Sequence, residues 1–245
     1  MCSSDLTKPL LNKIGRQVFE NFALPTALWE IKKTFLFGSQ NRQGFLDAII
    51  DEEIHHPLPQ GFKPSAFEQP FGESPLSLSH PDFNHPLKLK GTIDLVLQDN
   101  AGRIMVLDYK TGAVLPIPKD IETLRAMQLP LYLIAIKHLY PQSEGVAGMY
   151  FQLRDAKDLT KTTPIVLNAD IKKEFGLTRN RPILADTAFY TRIINHLFQL
   201  QTLMHNGFFG LTHRIELTEA FKNRDKKCKS CAFKLSCRYP GRFQS

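Results

Sequence analysis

The chain has 245 residues, enough for one sizeable domain or two small ones. Hydrophobic residues make up 42%, an ordinary globular share, and no apolar run approaches the roughly 20 residues that a membrane span needs, so no membrane partner is expected. A formal charge of +7 excludes little and points only weakly to a polyanionic partner such as nucleic acid.

Residues 7–53 read as helices. Leu10, Leu11, Ile14, Val18 and Phe19 recur at helical spacing, as do Leu46, Ile49 and Ile50. Residues 56–86 are rich in proline and are expected to be extended and irregular. Residues 91–112, GTIDLVLQDNAGRIMVLDYKTG, read as a hairpin of two apolar strands around a polar turn. MQLPLYLIAIKHLY reads as a helix in which Pro130 must lie in the first turn. GVAGMYFQL reads as a strand and TPIVL as another. Residues 185–205 form a long helix with Phe189, Ile193, Ile194, Leu197 and Leu200 on its buried side. A basic segment, residues 214–242, closes the chain. The order of elements predicts a mixed α/β fold without internal repeats.

The hairpin interrupts its apolar runs with Asp94, Asp108 and Lys110. Strand side chains alternate between faces, so Asp108 and Lys110 share one face with Val106 and Ile104, and Asp94 shares a face with Val96. If Asp94 lies opposite Asp108, then Val96 pairs with Val106 and Gln98 with Ile104. Asp99 to Arg103 then form a loop of turn-favouring residues. Two carboxylates held together are costly unless a cation neutralises them, and oxygen ligands suit Mg²⁺ or Mn²⁺. A lysine two residues from such a ligand can orient water or stabilise charge on a phosphate. The residues alone are also compatible with an exposed hairpin bearing an ion pair. Gln128 and Tyr132 follow at i, i+4 on one face of the next helix.

The cysteines are Cys2, Cys228, Cys231 and Cys237, the last three within ten residues. Such clustering argues for metal binding rather than disulfides.

GTIDLVL…IMVLDYKTG followed by QLPLY closely resembles the PD-(D/E)XK nucleases of the RecB type. The nearest are the nuclease domains of AddB-like and RecB-like helicase–nucleases and their CRISPR-associated relatives. The resemblance covers about residues 67–241. It implies a restriction-endonuclease-like core over residues 67–212, after a helical segment 1–66 and before a basic cysteine-rich tail 213–245. Asp94 and Asp108 would hold Mg²⁺ or Mn²⁺, Lys110 would complete the catalytic centre, and Gln128 and Tyr132 match the family's glutamine and tyrosine. Glu68 sits where relatives often carry an acidic residue, so it either completes the metal shell or is a surface glutamate. Cys228, Cys231 and Cys237 match the trailing three ligands of a [4Fe–4S] cluster in some members; zinc is the alternative, since C-x₂-C is also a zinc half-site. Lys226, Lys227, Lys229 and Arg238 are either contacts to the DNA backbone or a solvated basic tail.

The implied activity is a Mg²⁺-dependent deoxyribonuclease, exonuclease rather than endonuclease. It would be the C-terminal part of a cytoplasmic helicase–nuclease in recombination and double-strand-break repair, with the helicase in the same full-length chain. The alternatives are an inactive DNA-binding scaffold and a stand-alone CRISPR-associated-type nuclease. One departure stands out. The family's upstream histidine, in a G-x₃-H setting, has Gly15 here but Phe19 in its place. His55, His56, His80 and His85 do not fit that setting. The opening MCSSDL equals the translation of a common sequencing-adaptor end read from a GTG start. It raises the expectation that the chain is a fragment and that Cys2 is not a native ligand; the competing reading makes Cys2 the fourth cluster thiolate.

Overall fold

The computed structural model describes residues 4–22, 26–112, 114–157, 159–177 and 181–207. It divides into two compact units, Met1–His196 and Leu197–Ser245. The first unit contains the leading helices and the whole of the sheet.

Three helices lead, where the periodicity places them: α1 (Ser4–Phe22), α2 (Ala27–Phe37) and α3 (Phe45–His55). Gly15 allows α1 to approach α3, because a Cβ there would meet Leu46 Cδ1 at 2.7 Å. Phe19 sets its ring edge-on to Trp29 and Phe37, at 5.1 and 5.8 Å between centroids. Phe19, four residues after Gly15, thus joins α1 to α2.

The rest of the unit is β1 (Lys63–His80), β2 (Phe83–Gln98), β3 (Ile104–Lys110), α4 (Pro118–Glu122), α5 (Gln128–Leu139), β4 (Gly145–Leu153), β5 (Leu159–Val166), α6 (Ala169–Glu174), β6 (Ile183–Leu184) and the first half of α7 (Thr187–His205). The strands form one six-stranded sheet in the order β1-β2-β3-β4-β5-β6. β3–β4 and β5–β6 are parallel; the other pairs are antiparallel. A parallel pair needs a crossover, and α4 with α5 supplies it between β3 and β4. This mixed sheet flanked by helices is the restriction-endonuclease-like architecture that the resemblance implies.

The proline-rich stretch corrects the expectation. Residues 63–80 are not irregular but a long strand, β1, paired with β2 from Lys63↔Gln98 to His80↔Phe83. Proline lacks a donor, so it disrupts a central strand but is tolerated on an edge strand. β1 is the edge. Pro64 and Pro70 sit in the ladder opposite Leu97 and Thr92, and the register shifts between Phe71 and Leu76 absorb Pro75.

The predicted hairpin register is present. Val96 faces Val106 and Gln98 faces Ile104. Gly102 takes φ 80° in the turn, and Asp99 Oδ1 accepts from the Ala101 and Arg103 amides. Arg103 then grips Glu174 with two bonds of 2.8 and 2.7 Å, tying the turn to α6. On one face Leu95, Leu97, Met105, Leu107, Met149 and Phe151 form a core with Ile171 of α6. Toward the other lies α5; a Cβ on Gly148 would stand 3.2 Å from Leu129 Cβ, so glycine sets that approach.

β2 pairs with β3 only over Leu95–Gln98, so residues 71–80 and 83–91 form a two-stranded arm beyond the main sheet. Its base is tight: a Cβ on Gly91 would stand 2.6 Å from Phe71 Cζ, and the buried Phe71 ring lies edge-on to Tyr132 at 6.2 Å. Gly91→Ala must therefore displace Phe71 from Tyr132. The expected cost is about 1–3 kcal/mol of stability, read by chemical denaturation as a lower midpoint with an unchanged slope.

Candidate active site

The ladder between β2 and β3 ends at Leu95↔Leu107, one step before Asp94 and Asp108. There Asp94 Oδ2 accepts a hydrogen bond of 2.8 Å from the Tyr109 N–H, so this carboxylate joins the two strands where their backbones stop pairing. Asp108 pairs in register with Tyr150 of β4 and is only 1% exposed. The sequence brings a carboxylate into the interior because the β3 alternation, apolar up to Leu107, continues through it.

Helix α5 brings two more residues. Pro130 falls at its third position, so its missing N–H lies among those a first turn leaves unbonded anyway. Gln128, at the helix start, accepts from Lys110 Nζ at 2.5 Å and donates through Nε2 to Tyr132 Oη at 2.7 Å. Tyr132 Oη donates to Asp108 Oδ1 at 3.5 Å. Lys110 Nζ lies 2.6 Å from Asp108 Oδ2, which closes the circuit Asp108, Lys110, Gln128, Tyr132. That last contact is an ion pair without hydrogen-bond direction; Oδ2 is buried and accepts no directed bond among the described residues.

Burial is the largest influence on Asp108 and raises its pKa. Lys110 opposes the rise, and the charge of Asp94 adds to it. Tyr132 is pushed up to about 12, again by burial first, and its neighbours Asp108 and Asp94 add to the rise. Tyr150 is pushed up by burial first and then by the charge of Asp108. Both phenols are therefore neutral at physiological pH, and the charge of Lys110 is the main local counterweight to the burial of Asp108.

Among the described residues, no group of three or more His, Cys, Asp or Glu side chains is placed to hold a metal ion. The donor set is two carboxylates. A hard divalent cation such as Mg²⁺ is commonly held by one or two carboxylates, with waters and substrate phosphate oxygens completing the shell. The orphaned Oδ2 of Asp108 fits that role.

Glu68 is exposed on β1. Its neighbours Phe67 and Gln69 pair with Leu95 and Ile93, so the register sets it across from Asp94. It adopts φ 47°, a left-handed conformation uncommon outside glycine. His55 and His56 contact Asp51 O and Glu52 Oε2 on their own helix, and His80 contacts Asn195. Cys2, Cys228, Cys231, Cys237, Lys226, Lys227, Lys229 and Arg238 lie outside the described residues. Two contributors escaped sequence reasoning. Tyr150 reads as one more apolar residue of a buried strand, and its register with Asp108 is visible only once β3 and β4 are known to be parallel. The Tyr109 amide carries no side-chain signal at all.

The family model described as the PD-(D/E)XK nuclease superfamily matches residues 7–238. No curated protein matches the sequence. Among solved structures, the chain is similar to the crystal structure of SSO0001, at 16% identity and a TM-score of 0.38, covering 79% of this chain and 69% of that one. That likeness is too slight to carry an argument. Among the described residues, no helix is long and apolar enough to cross a membrane.

The raised pKa of Asp108 sets a stability test. A folded-state pKa above 3.8 means that the metal-free folded chain binds this proton more readily than the unfolded chain. Its contribution to stability is lost as pH rises through the folded pKa and regained as pH falls. Metal-free Asp108→Asn should therefore melt above the parent at neutral pH, and the gap should close as pH is lowered toward 3.8. Added Mg²⁺ should raise the melting temperature of the parent and leave that of the variant unchanged. Melting curves across pH, with and without metal, check both.

Proposed function

The chain belongs to the PD-(D/E)XK nuclease superfamily, whose members are metal-dependent nucleases, and from that membership we propose that it is a Mg²⁺- or Mn²⁺-dependent deoxyribonuclease. The observation that carries the reading is the circuit of Asp108, Lys110, Gln128 and Tyr132 beside Asp94. Asp94 and Asp108 would hold the cation; Glu68, exposed across the strand pair, is then a surface glutamate rather than part of a three-carboxylate group. A bound cation would supply Lewis acidity at the phosphate and a more acidic water. Lys110 has three N–H donors. Gln128 engages one and the ammonium also faces Asp108 Oδ2 as an ion pair, which leaves N–H capacity for a phosphate oxygen or the attacking water. Gln128 fixes the ammonium, and Tyr132, neutral at working pH, fixes the Asp108 carboxylate. Water attacks phosphorus, and the P–O bond to the leaving sugar oxygen breaks.

The finer reading is an exonuclease in the C-terminal part of a cytoplasmic helicase–nuclease for recombination and break repair. Residues 67–212 would be its core, 1–66 a helical segment and 213–245 a tail whose cysteines hold a [4Fe–4S] cluster, or zinc. The sequence resemblance and the C-x₂-C-x₅-C spacing support it. In this reading Lys226, Lys227, Lys229 and Arg238 contact the DNA backbone. One observation favours the second reading, a DNA-binding module without hydrolysis: Phe19 stands where the family carries its histidine ligand, and its ring is engaged by Trp29 and Phe37.

Cleavage of linear DNA in Mg²⁺ or Mn²⁺ separates the two. Lys110→Ala should lower kcat by at least about a hundredfold, as for loss of a group that stabilises transition-state charge. Its melting temperature should fall as well, because the buried Asp108 loses the positive charge that offsets it, so activity is compared well below that temperature. A variant as active as the parent would remove Lys110 from the mechanism. For the tail, a chain purified without oxygen should carry about four irons by cluster stoichiometry. Cys228→Ser should lose them, and Cys2→Ser, which removes the sequence's other cysteine, should lose them only if Cys2 is the fourth thiolate. Zinc without iron would retire the cluster and leave the nuclease reading untouched.

A further inference from the structure

The β1–β2 arm is not used by the chemistry above. Along β2, Leu87, Leu89, Gly91 and Ile93 are half-buried or buried, while Lys88, Lys90 and Thr92 between them are exposed. The inner face is anchored. Leu76, the partner of Leu89, is buried, Phe71 packs on Tyr132, Gln69 accepts from Tyr140 Oη at 3.4 Å, and His80 meets Asn195 at 2.8 Å. The outer face is a polar row on a fixed ridge. Strand alternation puts Lys88, Lys90 and Thr92 on the face of the arm away from α5, at about 6.7 Å per step of two residues, with Asp94 next in the same alternation. Ser77, paired with Lys88, is exposed on the same face.

We propose that this row, Lys88, Lys90 and Thr92 with Ser77, binds the phosphate backbone of the DNA strand that runs up to the scissile phosphate at Asp94. The inference rests on the nuclease reading and adds to it a binding site. Lysines and hydroxyls are the side chains that grip phosphates and sugars without reading sequence. Their repeat along the strand is comparable with the spacing of successive phosphates on a single nucleic-acid strand. The row leads along β2 toward Asp94, so a strand held on it is held beside the carboxylates.

The test is DNA binding by the full chain in chelator, where no cleavage occurs, measured against salt concentration. Each phosphate contact contributes about 0.9 to the slope of log affinity against log salt on duplex DNA. The Lys88→Ala, Lys90→Ala double variant should therefore lose about 1.8 from the parent's slope, and Lys88→Arg, Lys90→Arg should keep it. In Mg²⁺ the alanine variant should show a raised KM on DNA with kcat unchanged. Its rate on a small phosphodiester too short to reach the arm should equal the parent's. An unchanged slope and KM would overturn the arm proposal while leaving the nuclease reading intact. A parent chain that neither binds nor cleaves DNA would overturn the nuclease reading and the arm with it.

Discussion

A carboxylate stands inside the sheet. Asp108 occupies a position on β3 where every preceding residue from Ile104 is apolar and buried, and it is as buried as they are. An ionised carboxylate in such a place is tolerated only with partners that cancel its charge. The arrangement around it answers that constraint. Lys110 supplies the positive charge, Tyr132 a neutral donor, and Gln128 holds both in place. The compensation is incomplete, since one oxygen keeps no directed bond and burial still outweighs the lysine. A bound cation would relieve that residual cost.

Secondary structure follows from the same demand. α5 must start at Gln128 for Gln128 and Tyr132, one turn apart, to reach Lys110 and Asp108. Pro130 helps fix that start, because it is acceptable only in a first turn. Gly148 lets α5 settle on β4, and Gly91 lets Phe71 press on Tyr132 from the arm. Two residues without side chains thus determine how closely the helix and the arm confine the polar circuit.

Much of this was legible from the chain alone. The hairpin register was readable because period-two alternation allows one pairing that brings Asp94 toward Asp108 and leaves a five-residue turn. The helix after it was readable from its apolar period and its proline. β1 was not. Its prolines signal irregularity locally, and only its place at the sheet edge, a long-range fact, makes them harmless. Tyr150 was hidden for a related reason: its role depends on the parallel β3–β4 pairing, which joins residues about forty positions apart. Side-chain chemistry can be read locally, whereas partners across a crossover cannot.

Phe19, where the resemblance leads to an expected histidine, serves packing in this structure. An imidazole would add a neutral metal ligand from the helical segment. Phe19 instead locks α1 to α2 by aromatic contacts, and Gly15, one turn earlier, packs α1 against α3. The helices α1, α2 and α3 are then held together by apolar packing. With two carboxylates as the paired donors, more of a cation's shell falls to water and to the phosphate itself. Metal and DNA would then bind interdependently, each completing the other's coordination.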